Sequence, residues 1–218
     1  MKWPFEISIE PEQEQQLLAY AEELRRVNRQ FNLVSRQDED RIISYHVGHC
    51  LSFGLRSFQK ETSIVDWGSG GGLPAIPIAI LYPDVLVKAV DSNSKKTRSV
   101  DMFCRRLKIP NCSSWHGRAE AYENTAHCSV SRATAPLSEL WAWHKRMATT
   151  PRLIMPPESD KTKWPDGLIC LKGGDLDAEI QKLISDFQDV TIEEIPLQNH
   201  TDSAYFSTKS MIVVTSSR

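Results

Sequence analysis

The sequence predicts an α/β fold in which a mainly parallel sheet is covered by helices on both faces. From residue 63 onward, short apolar segments alternate with helical patterns, which is typical of parallel strands joined by crossover helices. The last two strand-like segments, 190–195 and 211–215, have no helical pattern between them. We therefore expect an antiparallel hairpin at the C-terminal edge of the sheet.

Two helices are predicted before the sheet. Residues 11–27 begin with Pro11 and several acids, which suit a first helical turn, and continue with leucines at helical spacing. Residues 39–58 carry their apolar side chains on one helical face. The prediction is an N-terminal helical appendage over residues 1–60, followed by one α/β domain over residues 61–218.

Strands and helices then alternate through this domain. The predicted strands are residues 64–66, 85–90, 112–115, 129–131 and 168–171. The predicted helices between them are residues 74–82, 94–107, 118–122, 136–147 and 177–187. Residues 148–165 contain four prolines and mixed charge, so this stretch is predicted to be an ordered surface loop.

Composition places the chain among soluble globular proteins. Hydrophobic residues make up 40% of the 218 residues and charged residues 25%, and the apolar runs are too short to span a bilayer. No basic start followed by an apolar core marks a secretion signal, so we expect a cytoplasmic protein without membrane contact. The five cysteines are scattered without a Cys-x-x-Cys pair, which argues against a disulfide framework and a metal site. The formal net charge is −2, so any contact with nucleic acid must come from local basic patches.

The strongest local signal is the glycine loop of residues 65–74 (VDWGSGGGLP), which leaves a predicted strand and enters a helix. Glycines permit positive φ and close approach of a ligand, and free N–H groups at a helix start favour an anion. Asp66 ends the strand where it can accept a hydrogen bond from an ammonium group. Asp91 ends the next strand, where an acid can bind both ribose hydroxyls. The pattern indicates a site for a cofactor that contains a nucleoside.

Two other interpretations of the loop are less favoured. A tight turn whose glycines serve only the backbone does not explain four glycines in five residues together with an acid ending each strand. A dinucleotide site is formally satisfied by Gly70–Ala75 as G-x-G-x-x-A. That frame begins two residues late, and too little chain remains for a separate substrate domain.

The glycine loop also resembles that of a known family. Residues 66–77 (DWGSGGGLPAIP) are similar to the D-x-G-[ST]-G-x-G-[LF]-P-G-[IL]-P loop of the RsmG (GidB) family, and the second proline makes the match fairly specific. Further agreements follow in order along the chain: residues 28–35 (NRQFNLVS), 91–96 (DSNSKK), 117–120 (GRAE), 131–133 (SRA) and 171–173 (LKG). The resemblance implies a Rossmann-like class I methyltransferase fold. It also implies methyl transfer from S-adenosyl-L-methionine to N7 of a guanine in small-subunit (16S) ribosomal RNA.

Site residues follow from the motif and the resemblance together. The resemblance implies that Gly68 and Leu73 contact the cofactor, that Ala119 and Glu120 flank the adenine, and that Arg132 lies beside the cofactor or target nucleotide. The predicted cofactor-binding residues are Asp66, Gly68, Gly70, Leu73, Asp91, Ala119, Glu120 and Arg132. The predicted RNA-binding residues are Lys95, Lys96, Arg132 and Lys172. For the second basic cluster, Arg105, Arg106 and Lys108, a solvated helix face is the favoured interpretation.

No residue is predicted to transfer a proton. Guanine N7 carries an in-plane lone pair and no proton, so the implied reaction needs positioning and no general base. His46 and His49 have no acidic or cysteine partner at ligand spacing, so we interpret them as ordinary surface or core residues.

The chain departs from the family where the segment R-H-x-x-D-S appears as residues 45–50 (YHVGHC), with His49 in place of the acid. This departure leaves two alternatives open: a methyltransferase with another substrate, and a non-catalytic ribosome- or RNA-binding relative. The expected partner is 16S ribosomal RNA or the small ribosomal subunit, and the expected state is a monomer.

Overall fold

Seven strands of the computed structural model pair into one sheet. They are β1 (Ser63–Trp67), β2 (Leu86–Asp91), β3 (Cys112–His116), β4 (Cys128–Arg132), β5 (Leu168–Gly173), β6 (Val190–Pro196) and β7 (Lys209–Ser216). Their order across the sheet is β3-β2-β1-β4-β5-β7-β6. Strands β1 to β5 run parallel, and β7 is antiparallel to both β5 and β6. The predicted mainly parallel sheet with an antiparallel C-terminal hairpin is confirmed.

The structure describes residues 3–132, 134–149 and 160–217, except for the side chains of residues 36–38. The α-helices in this part are α1 (Pro11–Asn28), α2 (Gly48–Cys50), α3 (Ala75–Leu81), α4 (Ser94–Arg106), α5 (Leu137–Met147) and α6 (Asp177–Asp186). Among the helices described, none combines the length and apolar character that crossing a membrane requires.

The prediction of one continuous helix over residues 39–58 is wrong. Residues 39–55 lie in a 3-10 helix (Arg36–Arg41), a π-helix (Ile42–Val47), the short α2 and a second 3-10 helix (Leu51–Leu55), and residues 56–58 are not helical. In the second 3-10 helix, a Cβ on Gly54 would lie 2.6 Å from Cδ1 of Ile7, so a glycine is needed for this close approach. The N-terminal segment therefore packs directly against this backbone, a tertiary contact that helical periodicity does not reveal. The predicted helix at residues 118–122 is a single 3-10 turn, Ala119–Ala121.

The position of β1 determines where a ligand can bind. Strand β1 lies between β2 and β4, so the chain crosses to one side of it for β2 and β3 and to the other for β4 and β5. Open α/β sheets bind ligands at such a switch point, outside the carboxyl ends of the strands. The glycine loop leaves β1 at this point.

Helix α1 packs on the sheet and supports the glycine loop from below. Leu17 and Leu24 are fully buried and belong to the same apolar cluster as residues of β1 and β2. The hydroxyl of Tyr20, also fully buried, donates to the carbonyl of Gly71 at 2.9 Å. Asn28 ends α1, and its Oδ1 accepts from the N–H groups of Leu33 and Val34 at 2.8 and 2.9 Å. Residues outside the sheet therefore hold the loop in place.

Part of the predicted surface loop at residues 148–165 lies outside the described residues, namely 150–159, as does Ala133 of the SRA motif. The end of that stretch is ordered against the core. The indole of Trp164 is 2% exposed and donates to the carbonyl of Phe53 at 2.8 Å.

We predict that Asn28→Ala lowers the free energy of unfolding by about 2–3 kcal/mol, because two buried N–H groups lose their acceptor. Denaturant titration of the cofactor-free protein measures this. The matched control is Asn199→Ala, since Asn199 is exposed and surface substitutions usually change stability by about 0.5 kcal/mol or less. Equal stability of the two variants would contradict the role assigned to Asn28.

Candidate functional site

The glycine loop combines positive backbone angles with close packing. Gly68 and Gly70 have φ of 67° and 59°, a region that residues with a side chain rarely adopt. A Cβ on Gly68 would lie 2.2 Å from Cγ2 of Thr134, so this glycine lets the segment after β4 approach the loop. A Cβ on Gly70 would meet no atom closer than 3.9 Å. The surface beside Gly70 is thus open, and a cofactor contact there stays a prediction.

Asp91 connects the loop to the end of β2. Its Oδ2 accepts from the N–H of Gly70 at 2.9 Å, and its Oδ1 accepts from the N–H of Asn93 at 2.8 Å. The side chain lies at the surface boundary, with the residue 9% exposed. A carboxylate has about four acceptor sites, so Asp91 retains capacity for two hydroxyl groups. The structure thus brings the glycine loop and Asp91, the two predicted parts of the nucleoside site, into contact.

Asp66 lies beneath the loop and is fully buried. Its Oδ2 accepts from the N–H of Ala75, at the start of α3, at 3.0 Å. Its Oδ1 has no hydrogen-bond partner in the part of the chain that the structure describes. Burial raises the pKa of Asp66 to about 7, and the nearby charge of Arg132 opposes this shift. A buried acceptor of this kind fits a ligand that brings a positive charge or a hydrogen-bond donor.

The remaining predicted cofactor residues differ in their placement. Ala119 and Glu120 form the 3-10 turn that follows β3, and the preceding Gly117 donates its N–H to the carbonyl of Asp91 at 3.1 Å. This contact places the turn beside the loop. Leu73 is 3% exposed in the core, and its N–H donates to the carbonyl of Ser69 at 3.0 Å. A cofactor contact at Leu73 stays a prediction.

Arg132 ends β4 and meets two histidines that the sequence did not assign to the site. Its Nη1 donates to Nδ1 of His46 at 3.0 Å, and its Nε is buried without a hydrogen-bond partner in the described residues. His49 is 5% exposed, and burial together with the charges of Arg132 and Lys209 holds its pKa well below the usual value. The signal in the sequence was the segment 45–50 itself, which aligns with a family motif.

The predicted RNA-binding lysines fall into two classes. Lys95 and Lys96 begin α4 at the carboxyl edge of the sheet; Lys95 is exposed, with its Nζ 5.4 Å from the ring centre of Phe31. The side chain of Lys172 is only 11% exposed; its Nζ lies 2.5 Å from a carboxylate oxygen of Glu179 and donates to the carbonyl of Ala135. A phosphate contact at Lys172 would require this ion pair to open, so that role stays a prediction.

The site contains no metal-binding cluster in residues 3–132, 134–149 and 160–217, because no three histidine, cysteine or acidic side chains there come together.

Comparison with known proteins identifies the family. Residues 13–156 match the family GidB, described as rRNA small subunit methyltransferase G. The chain belongs to the GidB family. A relative from Salinibacter ruber, named ribosomal RNA small subunit methyltransferase G, is 44% identical over 214 residues, which cover 98% of this chain and 97% of that protein. The predicted family and enzyme class are confirmed.

Solved structures agree with the fold of this GidB member. A ribosomal protein L11 methylase from Lactobacillus delbrueckii superposes with a TM-score of 0.58 at 12% identity, over 79% of each chain. The fibrillarin of Aeropyrum pernix, solved with bound S-adenosyl-L-methionine, gives a TM-score of 0.52 at 13% identity, over 72% of this chain and 67% of that one. The class I methyltransferase fold is confirmed. Membership of this methyltransferase family confirms the predicted cofactor, S-adenosyl-L-methionine.

We predict that Gly70→Ala weakens binding of S-adenosyl-L-methionine about tenfold or more, because the new methyl group projects into the open space beside the loop. Isothermal titration calorimetry measures the affinity. Gly174→Ala is the matched control, since Gly174 also has a positive φ (86°) and a Cβ there meets no atom within 4 Å. Both variants are expected to lose similar stability. Unchanged affinity in Gly70→Ala would contradict the proposed site.

We predict that Asp66→Asn alters the pH dependence of stability. The folded protein keeps a proton on Asp66 up to about pH 7, whereas the unfolded chain releases it near the ordinary value of 3.8. The stabilisation from this group is therefore complete below pH 3.8 and is lost as pH rises to about 7. At about 1.4 kcal/mol per pKa unit, the loss is on the order of 4 kcal/mol, and Asp66→Asn removes it.

Denaturant titrations of the cofactor-free protein and the variant between about pH 5 and pH 8 measure this difference. Asp66→Asn should become the more stable protein as pH rises. Parallel stability curves for the two proteins would show that Asp66 does not titrate in this range.

Proposed function

We propose that this chain transfers a methyl group from S-adenosyl-L-methionine to N7 of a guanine in 16S ribosomal RNA. The observation that carries the proposal is the contact between the glycine loop and Asp91 at the switch point, in a chain of the rRNA small subunit methyltransferase G family. The residues proposed to hold the cofactor are Asp66, Gly68, Gly70, Leu73, Asp91, Ala119, Glu120 and Arg132.

The chemistry proposed for these residues is binding and orientation. The bound cofactor supplies the methyl group as a sulfonium, and the N7 lone pair of guanine needs no base to activate it. Holding two reactants in line accounts for about 7–11 kcal/mol of a barrier. Asp66 is fully buried at the end of β1 and its Oδ1 has no partner in the described chain, which supports a role as hydrogen-bond acceptor for the ammonium group of the cofactor. No proton-transfer residue is needed.

Helix α4 supports RNA as the partner. Lys96, Arg98, Arg105 and Lys108 make no ion pair with the described residues, although cations elsewhere on the surface, such as Lys182 with Asp186, do. Arg106 differs from its neighbours, since it pairs with Glu23 at 2.8 Å. Arg98 and Arg105 lie on one face of α4, about 10 Å apart along its axis, and Lys108 follows just beyond the end of the helix. We call these three residues the basic row; Lys96 lies on the other side of α4, near its start. A row of uncompensated cations on a chain of net charge −2 favours a polyanion.

The basic row borders a groove beside the open edge strand β3. Arg98, Arg105 and Lys108 line it, together with one acid, Asp101, and with Cys104 and Pro110. This arrangement supports a path for the sugar-phosphate backbone. We therefore propose that Arg105 and Lys108, for which the sequence favoured a solvated face, are part of the RNA-binding surface.

We further propose that the protein acts in the cytoplasm as a monomer, on the small-subunit RNA or the assembled subunit.

Methylation assays test the function directly. Purified protein and radiolabelled cofactor are incubated with 16S RNA or small subunits from cells that lack this protein, and N7-methylguanine is then mapped. Label at one guanine N7 in the RNA supports the proposal. Label only in protein or in a small molecule would favour a methyltransferase with another substrate, and absence of cofactor binding would favour a non-catalytic relative.

We predict that Lys95→Ala combined with Lys96→Ala raises the KM for RNA about tenfold and leaves the affinity for S-adenosyl-L-methionine unchanged, because two phosphate contacts are lost. Steady-state methylation at two salt concentrations measures the effect, which should shrink at high salt. Lys182→Ala, on the far helix α6, is the control. An equal KM in the double variant at moderate salt would contradict RNA binding at the start of α4.

A further inference from the structure

Two tyrosines from distant parts of the chain stack face to face. The ring centres of Tyr45 and Tyr205 lie 3.7 Å apart, with 6° between the ring planes. The guanidinium of Arg41 lies 5.1 Å from the centre of the Tyr45 ring, and Nζ of Lys209 lies 4.6 Å from the centre of the Tyr205 ring. We name these four residues the tyrosine stack. The order along the stack is a cation, two aromatic rings and a second cation.

The tyrosine stack lies at the edge of the sheet where the substrate must approach. Lys209 begins β7 and pairs with Gly173, which ends β5. The carboxyl end of β5 shares this edge with Arg132 and Asp91, because β1 to β5 are parallel. His49 lies between the stack and Arg132. Its ring meets that of Tyr205 edge-on, with 6.4 Å between the ring centres, and its pKa is lowered by burial and by the charge of Arg132.

The stack differs from the aromatic pairs that fill the core. Phe5 and Phe206 are 3% and 0% exposed, whereas Tyr45 and Tyr205 are half-buried and Arg41 is exposed. Next to the stack, Nε2 of His49 and Nε of Arg132 are buried without hydrogen-bond partners in the described chain. Unpaired buried donors and acceptors are costly, and a ligand that supplies their partners relieves the cost. Accessible rings next to unsatisfied polar atoms point to a ligand.

We propose that the tyrosine stack binds an unpaired RNA base next to the target guanine. This proposal rests on the proposed function. Proteins read single-stranded RNA by stacking splayed-out bases on aromatic side chains and arginine planes. The base takes the outer face of Tyr45, and the long, exposed side chain of Arg41 moves from that face to an adjacent phosphate. Lys209 keeps the inner ring, Tyr205, in place.

The stack also accounts for the departure of this chain from the family segment. Tyr45 and His49 occupy the two positions of residues 45–50 where the chain differs in charge from R-H-x-x-D-S. Where the family segment has an arginine and an acid, this chain has two aromatic side chains that contact the segment Ala204–Phe206. The stack is therefore a specificity element of this chain, in addition to the cofactor site.

Substitutions at Tyr45 test the proposal with the full-length protein. Tyr45→Ala and Tyr45→Leu are expected to raise the KM for 16S RNA about 5- to 100-fold, since both remove the π-face. Tyr45→Phe keeps that face and should stay within about twofold of the unaltered protein. Tyr45→Leu preserves bulk, so it covers the case in which Tyr45→Ala fails to fold. Affinity for S-adenosyl-L-methionine should stay unchanged in Tyr45→Leu, and its melting temperature should fall by only a few degrees because the ring contact with Tyr205 is lost.

The outcomes separate this proposal from the proposed function. If the unaltered protein methylates RNA and Tyr45→Leu has an unchanged KM, the stack does not bind a base and the inference is overturned. If Tyr45→Phe is as impaired as Tyr45→Leu, the hydroxyl matters and stacking is overturned. If the unaltered protein binds the cofactor and methylates no RNA, the proposed function itself fails.

Arg41→Ala should raise the KM for RNA in a salt-dependent manner, because a phosphate contact is lost. Lys60→Ala is the control and should leave this KM unchanged, since Lys60 is exposed and pairs with Asp84.

Discussion

The hydrogen bond from the Gly70 N–H to the carboxylate of Asp91 is the contact on which the site depends. It ties the turn after β1 to the end of β2, so that the strand ends on one side of the switch point present a single surface. Gly70 and Asp91 depend on further contacts to keep this arrangement. Gly70 requires a positive φ, and Gly71 is held from below by the hydroxyl of Tyr20 in α1. Helix α1 is therefore part of the support for the glycine loop, although none of its residues was predicted to touch the cofactor.

The charges around this contact are placed at a cost to stability. Asp66 is buried with one oxygen unpaired, and its pKa is raised to about 7. The Nη1 of Arg132 has the imidazole of His46 as its partner, and no carboxylate pairs with Arg132 within the described residues. Such arrangements are unfavourable in the free protein and become favourable when a ligand brings the complementary charge. A cofactor with an ammonium group beside Asp66 would provide that compensation, which agrees with the proposed cofactor site.

Strand and helix positions were predictable from the sequence because buried parallel strands are apolar and helices repeat with their own period; β1 to β5 lie within a few residues of prediction. The meeting of Asp66, Asp91 and the loop was equally predictable, because carboxyl ends of parallel strands share an edge. The prediction that failed, one continuous helix over residues 39–58, concerns a segment with contacts far along the chain. Gly54 packs closely against Ile7, which lies more than forty residues earlier. The local sequence pattern carries no information about such a contact.

The division between regular and irregular elements also separates two tasks. Cofactor contacts are proposed for loops that follow β1, β2 and β3, whose backbone is held by the sheet and by α1. The two tyrosines of the tyrosine stack lie on the π-helix Ile42–Val47 and the 3-10 turn Ala204–Phe206, which are outside the sheet. Substitutions at positions such as Tyr45 and His49 can therefore alter which RNA is recognised without displacing Gly70 or Asp91. A family that keeps one reaction and adapts its RNA contacts would vary in these irregular segments, and this chain departs from the family motif there.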